Sequence, residues 1–118
     1  MSDTPEVWKL IFQHLKNAGF SVYSPGQHQG DCTEPYVVVN IGSSLPFGTF
    51  TTVQTPYDIL CYVPKTAFST LEGYVDSVEK CLKQCSFLRS LHYRTPAYYD
   101  DAVKGHMIST QFVNYRKM

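Results

Sequence analysis

Apolar residues recur with the 3.6-residue period of a helix in two segments of the chain. Pro5 suits the first turn of one helix and Gly19 a helix end, while Ser69 and Glu72 form a capping-box pattern that opens the other. The apolar stripes are Trp8, Ile11, Phe12, Leu15 and Ala18 in the first helix, and Leu71, Tyr74, Val75, Val78, Cys81, Leu82 and Cys85 in the second. Asp76, Glu79, Lys80 and Lys83 are predicted to face solvent.

Alternating or β-branched segments bounded by Gly and Pro predict the strands. They cover residues 20–23, 36–41, 51–63, 91–95 and 106–115, and residues 27–34 and 42–50 are predicted loops. The element order predicts an α+β domain, in which a single, mostly antiparallel sheet of four to five strands carries both helices on one face. We expect a single domain over residues 1–118.

Composition excludes several classes of protein. The 118 residues carry ten basic and ten acidic side chains, and aromatic residues make up 14% of the chain. A disordered segment would be poor in aromatics, and a protein that binds nucleic acid by neutralising phosphates would be basic. The N-terminus is acidic and no apolar run approaches about 18 residues, so neither a signal peptide nor a membrane span is predicted, and the protein is expected to stay inside the cell.

The four cysteines suggest two hypotheses, a metal site and a catalytic nucleophile. His28 and Cys32 are four residues apart, as are Cys81 and Cys85. A structural zinc site needs four converging ligands, and Cys81 and Cys85 lie on the apolar stripe of a helix. Buried free thiols are therefore the favoured interpretation, and no metal is predicted.

No catalytic constellation is evident in the sequence. Cys32 near His28 lacks the strand–turn–helix setting of a nucleophile, and Asp100 beside Asp101 is typical of a solvated turn. No glycine-rich phosphate loop is present. We therefore predict no enzyme activity and no cofactor.

A nucleic-acid-binding module is the less favoured alternative. Arg89, His92, Tyr93 and Arg94 interleave basic and aromatic side chains, as do stacking platforms for single strands. The zero net charge of the chain removes the electrostatic attraction that such binding needs.

The surplus of aromatic residues is concentrated at named positions. One predicted loop contains Leu45, Pro46, Phe47 and Phe50, and the last connection contains Tyr98 and Tyr99. These six residues are our candidates for an oligomer interface. The alternative, that they cap the ends of the sheet, stays open.

The order of elements also resembles a known family. A helix is followed by Ala-Gly-Phe-Ser-Val-Tyr at 18–23, Pro-Tyr-Val-Val-Val-Asn-Ile-Gly at 35–42 and Tyr-Asp-Ile-Leu-Cys-Tyr-Val-Pro-Lys at 57–65. A second helix follows, and then a closing hairpin with Ile-Ser-Thr-Gln-Phe at 108–112. This pattern resembles the tail-terminator or tail-completion proteins, also called head-to-tail joining proteins, of long-tailed bacteriophages and prophages.

The resemblance implies a non-enzymatic structural protein of the virion, made in the bacterial cytoplasm. Such a protein forms a homo-oligomeric ring, a hexamer in the family, that caps the tail tube and joins it to the head connector. Its partners are the tail tube protein and connector proteins, with passive contact to DNA in the channel. Residues 42–52 match by position a loop that contacts neighbouring subunits. A head-closure or minor capsid protein of the same virion neck is the alternative.

Overall fold

The computed structural model describes residues 4–28, 30–42, 45–46 and 52–117, with the backbone alone at 4–6, 45–46, 52–53 and 116–117. In these residues, seven strands form one sheet against which two α-helices pack. The helices are α1 (Thr4–Asn17) and α2 (Leu71–Leu82), the latter preceded by a 3-10 helix (Lys65–Thr70). The strands are β1 (Val22–Tyr23), β2 (Tyr36–Ile41), β3 (Leu45–Pro46), β4 (Thr52–Pro64), β5 (Arg89–Arg94), β6 (Tyr98–Asp100) and β7 (Gly105–Lys117).

The sheet has the order β1-β2-β4-β7-β5, with β3 paired to β4 and β6 paired to β7. The β1–β2 pair is parallel and the other pairs of described strands are antiparallel. The predicted α+β class with a mostly antiparallel sheet is therefore confirmed. The sheet exceeds the predicted four to five strands because two further short strands, β3 and β6, pair along its longer strands.

Both helices cover the same face of the sheet, as predicted. Alternate residues of a strand point to one face, and Val37, Val39 and Ile59 on that face are fully buried. The Trp8 indole N–H donates a hydrogen bond to the carbonyl of Val39, with 2.8 Å between nitrogen and oxygen. The main core cluster also contains Ile11, Leu15, Tyr57, Cys61, Val63, Leu71, Val75, Val78, Cys81, Leu82, Cys85, Leu88, Ile108 and Phe112.

The start of the second helix differs from the prediction. A 3-10 helix occupies residues 65–70, α2 begins at Leu71, and no side chain caps it. Ser69 is therefore not the N-cap, and the carboxylate of Glu72 lies 3.7 Å from the Arg94 guanidinium. The expected capping box is absent because tertiary pairing holds Glu72 away from the helix start.

The prediction that Glu79 faces solvent is wrong. Its side chain is only 14% exposed, because it lies between α2 and the sheet. There it accepts hydrogen bonds from the guanidinium of Arg94 and the hydroxyl of Thr110. Glu79 thus links α2 to β5 and β7 through hydrogen bonds and does not lie on the solvent-exposed face of the helix.

Strands β4 and β7 form the longest ribbon of the sheet. Thirteen residue pairs join them, from Thr52 opposite Lys117 to Pro64 opposite Gly105. Twelve steps of about 3.3 Å give the ribbon a length of about 40 Å. This ribbon accounts for most of the long dimension of the molecule, which measures 47 × 25 × 24 Å.

Candidate assembly surfaces

Strands β2 and β3 follow one another along the same edge of β4. Ile41 pairs with Tyr57 and Leu45 pairs with Gln54, so the chain advances by four residues on one side and three on the other. The extra residue is a β-bulge. The predicted loop over 42–50 therefore contains a short strand, because Leu45 and Pro46 continue the pairing beyond the bulge.

The two interface candidates on β3, Leu45 and Pro46, thus lie at one end of the long ribbon. We call this end the hairpin end, and it consists of β3, Thr52–Gln54 of β4 and Tyr115–Lys117 of β7. The backbones of Leu45 and Pro46 pair with β4. The candidates Phe47 and Phe50 belong to the connection between β3 and β4, which lies outside the described residues. Their predicted role in an interface stays a prediction.

Charge is unevenly distributed along this part of the chain. From Ile41 to Tyr57 the sequence contains no Asp, Glu, Lys or Arg. Arg116 and Lys117 stand in register with Val53 and Thr52 on the neighbouring strand. The hairpin end therefore combines an uncharged strand pair with a basic third strand.

The other two candidates, Tyr98 and Tyr99, lie at the opposite end of the ribbon. They pair with Met107 and His106, respectively, next to the Pro64–Gly105 pair that closes the ribbon. Their side chains are 57% and 37% exposed. Two of the six candidates are thus exposed aromatic residues, as an interface requires, and they lie roughly 30 Å along the ribbon from Leu45 and Pro46.

Tyr98 and Tyr99 point to opposite faces of the sheet because they are consecutive in a strand. The Tyr99 ring lies 5.2 Å from the His106 ring, and Phe68, which is 53% exposed, lies 4.7 Å from His106 on its edge. We call Phe68, Tyr98, Tyr99 and His106 the tyrosine end. Neither Phe68 nor His106 could be predicted as part of this surface. Phe68 lies outside the apolar stripe of the helix, and His106 comes to this end only through its pairing with Tyr99.

A groove lies on the sheet face that the helices leave open, and we call it the sheet groove. Its volume is about 230 Å³. Val38 and Leu60, neighbours in register on β2 and β4, are half-buried residues of its lining. The other lining residues are Pro25, Gly26, His28, Tyr36, Asn40, Tyr62 and Val103. None of these described residues is Asp, Glu, Lys or Arg.

Stacked rings form one wall of the sheet groove. The His28 and Tyr36 rings are parallel within 12° at 4.1 Å, and the Tyr36 and Tyr62 rings within 11° at 4.7 Å. Tyr23 meets both His28 and Tyr36 edge-on. The wall is therefore a continuous aromatic stack whose members come from three separate segments.

Burial keeps the phenols of this stack neutral. It raises the pKa of Tyr62 to about 12, with the nearby Asp100 carboxylate adding to the rise. Burial likewise raises the pKa of Tyr36, and the neighbouring Tyr62 adds to that rise. The Tyr62 hydroxyl donates to a carboxylate oxygen of Asp100 at 3.4 Å. The phenols of Tyr36 and Tyr62 are thus neutral throughout the physiological pH range.

Arg94, one of the two arginines of the predicted nucleic-acid platform, is already paired with acidic side chains of the fold. The Arg94 guanidinium donates to Glu79 at 2.9 and 2.7 Å and to Asp76 at 2.5 Å, and these partners raise its pKa. Its charge is compensated within the fold, while His92 and Tyr93 remain exposed. The interleaved strand therefore presents aromatic surface without the full basic charge that phosphate binding needs.

The other residues considered for chemistry have contacts of their own. The ring of His28 stacks on Tyr36, whereas the Cys32 thiol donates to the Glu34 carbonyl at 3.3 Å. Asp100 accepts a hydrogen bond from the Ala102 amide, as in a turn. All four cysteines are buried and free, which confirms the predicted core thiols. In the described part of the chain, no group of three or more His, Cys, Asp or Glu side chains is placed to hold a metal ion.

No family model matches the chain, and the comparison with curated proteins finds no significant relative. Among the described helices, none has the length and apolar character required to cross a membrane.

Proposed function

We propose that this protein is a non-enzymatic assembly subunit that forms a closed ring, caps the end of a bacteriophage tail tube and joins it to the head connector. The resemblance described from the sequence suggests this role and a hexameric ring. The arrangement of contact surfaces is compatible with it.

One observation carries the proposal: two different candidate contact surfaces lie at opposite ends of one ribbon. The uncharged strand pair of the hairpin end and the exposed rings of the tyrosine end are separated by roughly 30 Å along the ribbon. Two different surfaces on one subunit give each copy a donor face and an acceptor face. They suit head-to-tail association, which closes into a ring when the rotation between subunits permits.

The composition of both ends supports association. Aromatic side chains contribute much of the burial in protein interfaces, and charged side chains are depleted from interface cores. Tyr98 and Tyr99 provide exposed aromatic side chains, and segment 41–57 provides a stretch without charged side chains. The fold itself does not require an aromatic ring at Tyr98, since that side chain is mostly in solvent.

The experiment that tests this role is electron microscopy of the purified protein and of particles that contain a tagged copy. We expect closed rings of uniform size at high concentration, and the tag at the head-proximal end of the tail. A tag found only on the head side of the neck would support the head-closure alternative. Absence of the protein from particles would contradict both.

A further inference from the structure

We infer that the sheet groove is the acceptor site for the hairpin connection of a neighbouring copy, residues 47–51. This inference rests on the proposed function and identifies which surfaces of two subunits meet. The groove borders the tyrosine end, because Tyr62 in its lining and Tyr98 both pair with Met107. The donor is the segment Phe-Gly-Thr-Phe-Thr, and the acceptor is the groove between His28, Val38 and Leu60.

The groove has the size of a site for a side chain. Its volume of about 230 Å³ is below the roughly 300 Å³ at which small-molecule sites begin. Its lining is apolar and aromatic, with the stacked rings of Tyr36 and Tyr62 at one wall. An inserted phenylalanine ring would meet the edges and faces of aromatic neighbours, which is a favourable geometry for aromatic pairs.

Size and charge distinguish this groove from larger cavities of the molecule. One of them, lined by Pro35, Ala67 and Tyr74 among others, is also uncharged but measures about 570 Å³. Another, of about 370 Å³, is lined by Leu71 and Ile108 but also by Glu72 and Arg94. The sheet groove has no such residue in its described lining. Segment 47–51 carries no charge, so its insertion into the sheet groove leaves no ion without a partner or water.

A subunit cannot insert this segment into its own groove. Leu60, the nearest groove residue on β4, is eight residues from Thr52, or about 26 Å along the strand. Five residues that connect Pro46 to Thr52 reach no more than about 11 Å from the strand ends. The donor must therefore come from another copy, and each subunit has one donor and one acceptor.

Two complementary variants test the inference in solution. Phe47→Ser/Phe50→Ser removes the donor, and Leu60→Arg places a charge in the acceptor. We expect each variant alone to associate roughly thirtyfold or more weakly than the wild type, the effect of losing one central contact. An equimolar mixture retains one intact donor and one intact acceptor, so it should form a 1:1 dimer that grows no further. Sedimentation velocity of the separate and mixed proteins measures this.

Controls separate loss of contact from loss of fold. Leu10→Arg introduces the same charge at an exposed apolar residue of α1, on the helix side, and should assemble as the wild type does. Leu60 is half-buried, so Asn40→Arg, at an exposed residue of the groove lining, provides a second acceptor block if Leu60→Arg misfolds. Circular dichroism of every variant establishes that it is folded.

The outcomes distinguish this inference from the proposed function. If the wild type assembles but a folded acceptor variant assembles equally well, or the mixture yields no dimer, the groove is not the acceptor and the ring role stands. If the wild type is monomeric at every concentration, the ring role fails and the inference fails with it.

Discussion

The Gly42 amide donates a hydrogen bond to the Pro56 carbonyl, with 2.9 Å between nitrogen and oxygen. A Cβ atom on Gly42 would lie 2.8 Å from Cγ of the Pro56 ring, closer than real Cβ contacts. This approach occurs at the bulge where β2 passes into β3. It therefore fixes the path by which the chain reaches the hairpin end.

We predict that Gly42→Val displaces the hairpin end. The added side chain would overlap the Pro56 ring, and strain of this kind costs about 1–3 kcal/mol. The free energy of unfolding should fall by that amount in urea titrations, and association should weaken with it. Pro56→Ala removes the overlapping Cγ atom, so the double variant should recover part of both losses. A Gly42→Val protein as stable and as associated as the wild type would show that the bulge tolerates a side chain.

The Glu79–Arg94 pair gives a pH dependence of stability. Hydrogen bonds from Arg94, opposed by burial and aided by Thr110, hold the pKa of Glu79 below its ordinary value of 4.5. A carboxyl whose pKa is lowered by folding stabilises the folded state when ionised. Its contribution is complete above pH 4.5 and is lost as the pH falls from there through the lower folded-state pKa.

We therefore predict that Glu79→Gln lowers the free energy of unfolding by about 2 kcal/mol near neutral pH, as expected for hydrogen bonds to a charged group. The difference from the wild type should shrink as the pH falls below 4.5. Asp76→Asn, at a side chain that is 68% exposed, should cost less than about 1 kcal/mol. Urea titrations at pH 7 and pH 3 measure both effects, and a difference that does not change with pH would refute the role of the ionised Glu79.

The thiols should be unreactive in the folded protein. Burial raises the pKa of Cys32, Cys61, Cys81 and Cys85, and the thiolate is the reactive form. An aromatic disulfide reagent at pH 8 should therefore react slowly with the native protein and rapidly with all four thiols in denaturant. Rapid reaction of a single thiol without denaturant would indicate an accessible cysteine.

The exposed tyrosines should affect association and not folding. Tyr98→Ala/Tyr99→Ala removes rings that are 57% and 37% exposed. The free energy of unfolding should fall by no more than about 0.5 kcal/mol at Tyr98 and about 1 kcal/mol at Tyr99, so the protein should stay folded. Association should weaken by roughly tenfold or more, because aromatic residues are enriched at interface hot spots. Leu10→Ala, another exposed apolar position, should leave association unchanged. Equal effects of both changes would remove Tyr98 and Tyr99 from the interface.

Local patterns were sufficient to predict most elements of the fold. The β-branched run at 36–41 is observed as β2 without a change of bounds, and the helical stripes supply both buried helix faces. These features depend on periodicity within one segment. Tyr98 and Tyr99, which the sequence placed in a connection, instead form part of the short strand β6.

Features that depend on distant segments were not predicted. Glu79 lies in a polar position of its helix, and only the approach of Arg94 and Thr110 makes it an internal carboxylate. The sheet groove is assembled from turn 25–28, strands β2 and β4, and Val103. No periodicity within a single segment encodes such a juxtaposition, because it arises from the order of strands in the sheet.

Sedimentation velocity tests most directly whether the protein associates head to tail through its hairpin end. The wild type is compared with the variant Phe47→Ser/Phe50→Ser. Both proteins are compared from low micromolar to several hundred micromolar concentration. The wild type should pass from monomer to one closed oligomer as its concentration rises, while the folded variant stays monomeric. A wild type that remains monomeric throughout, or a variant that assembles as the wild type does, would contradict the claim.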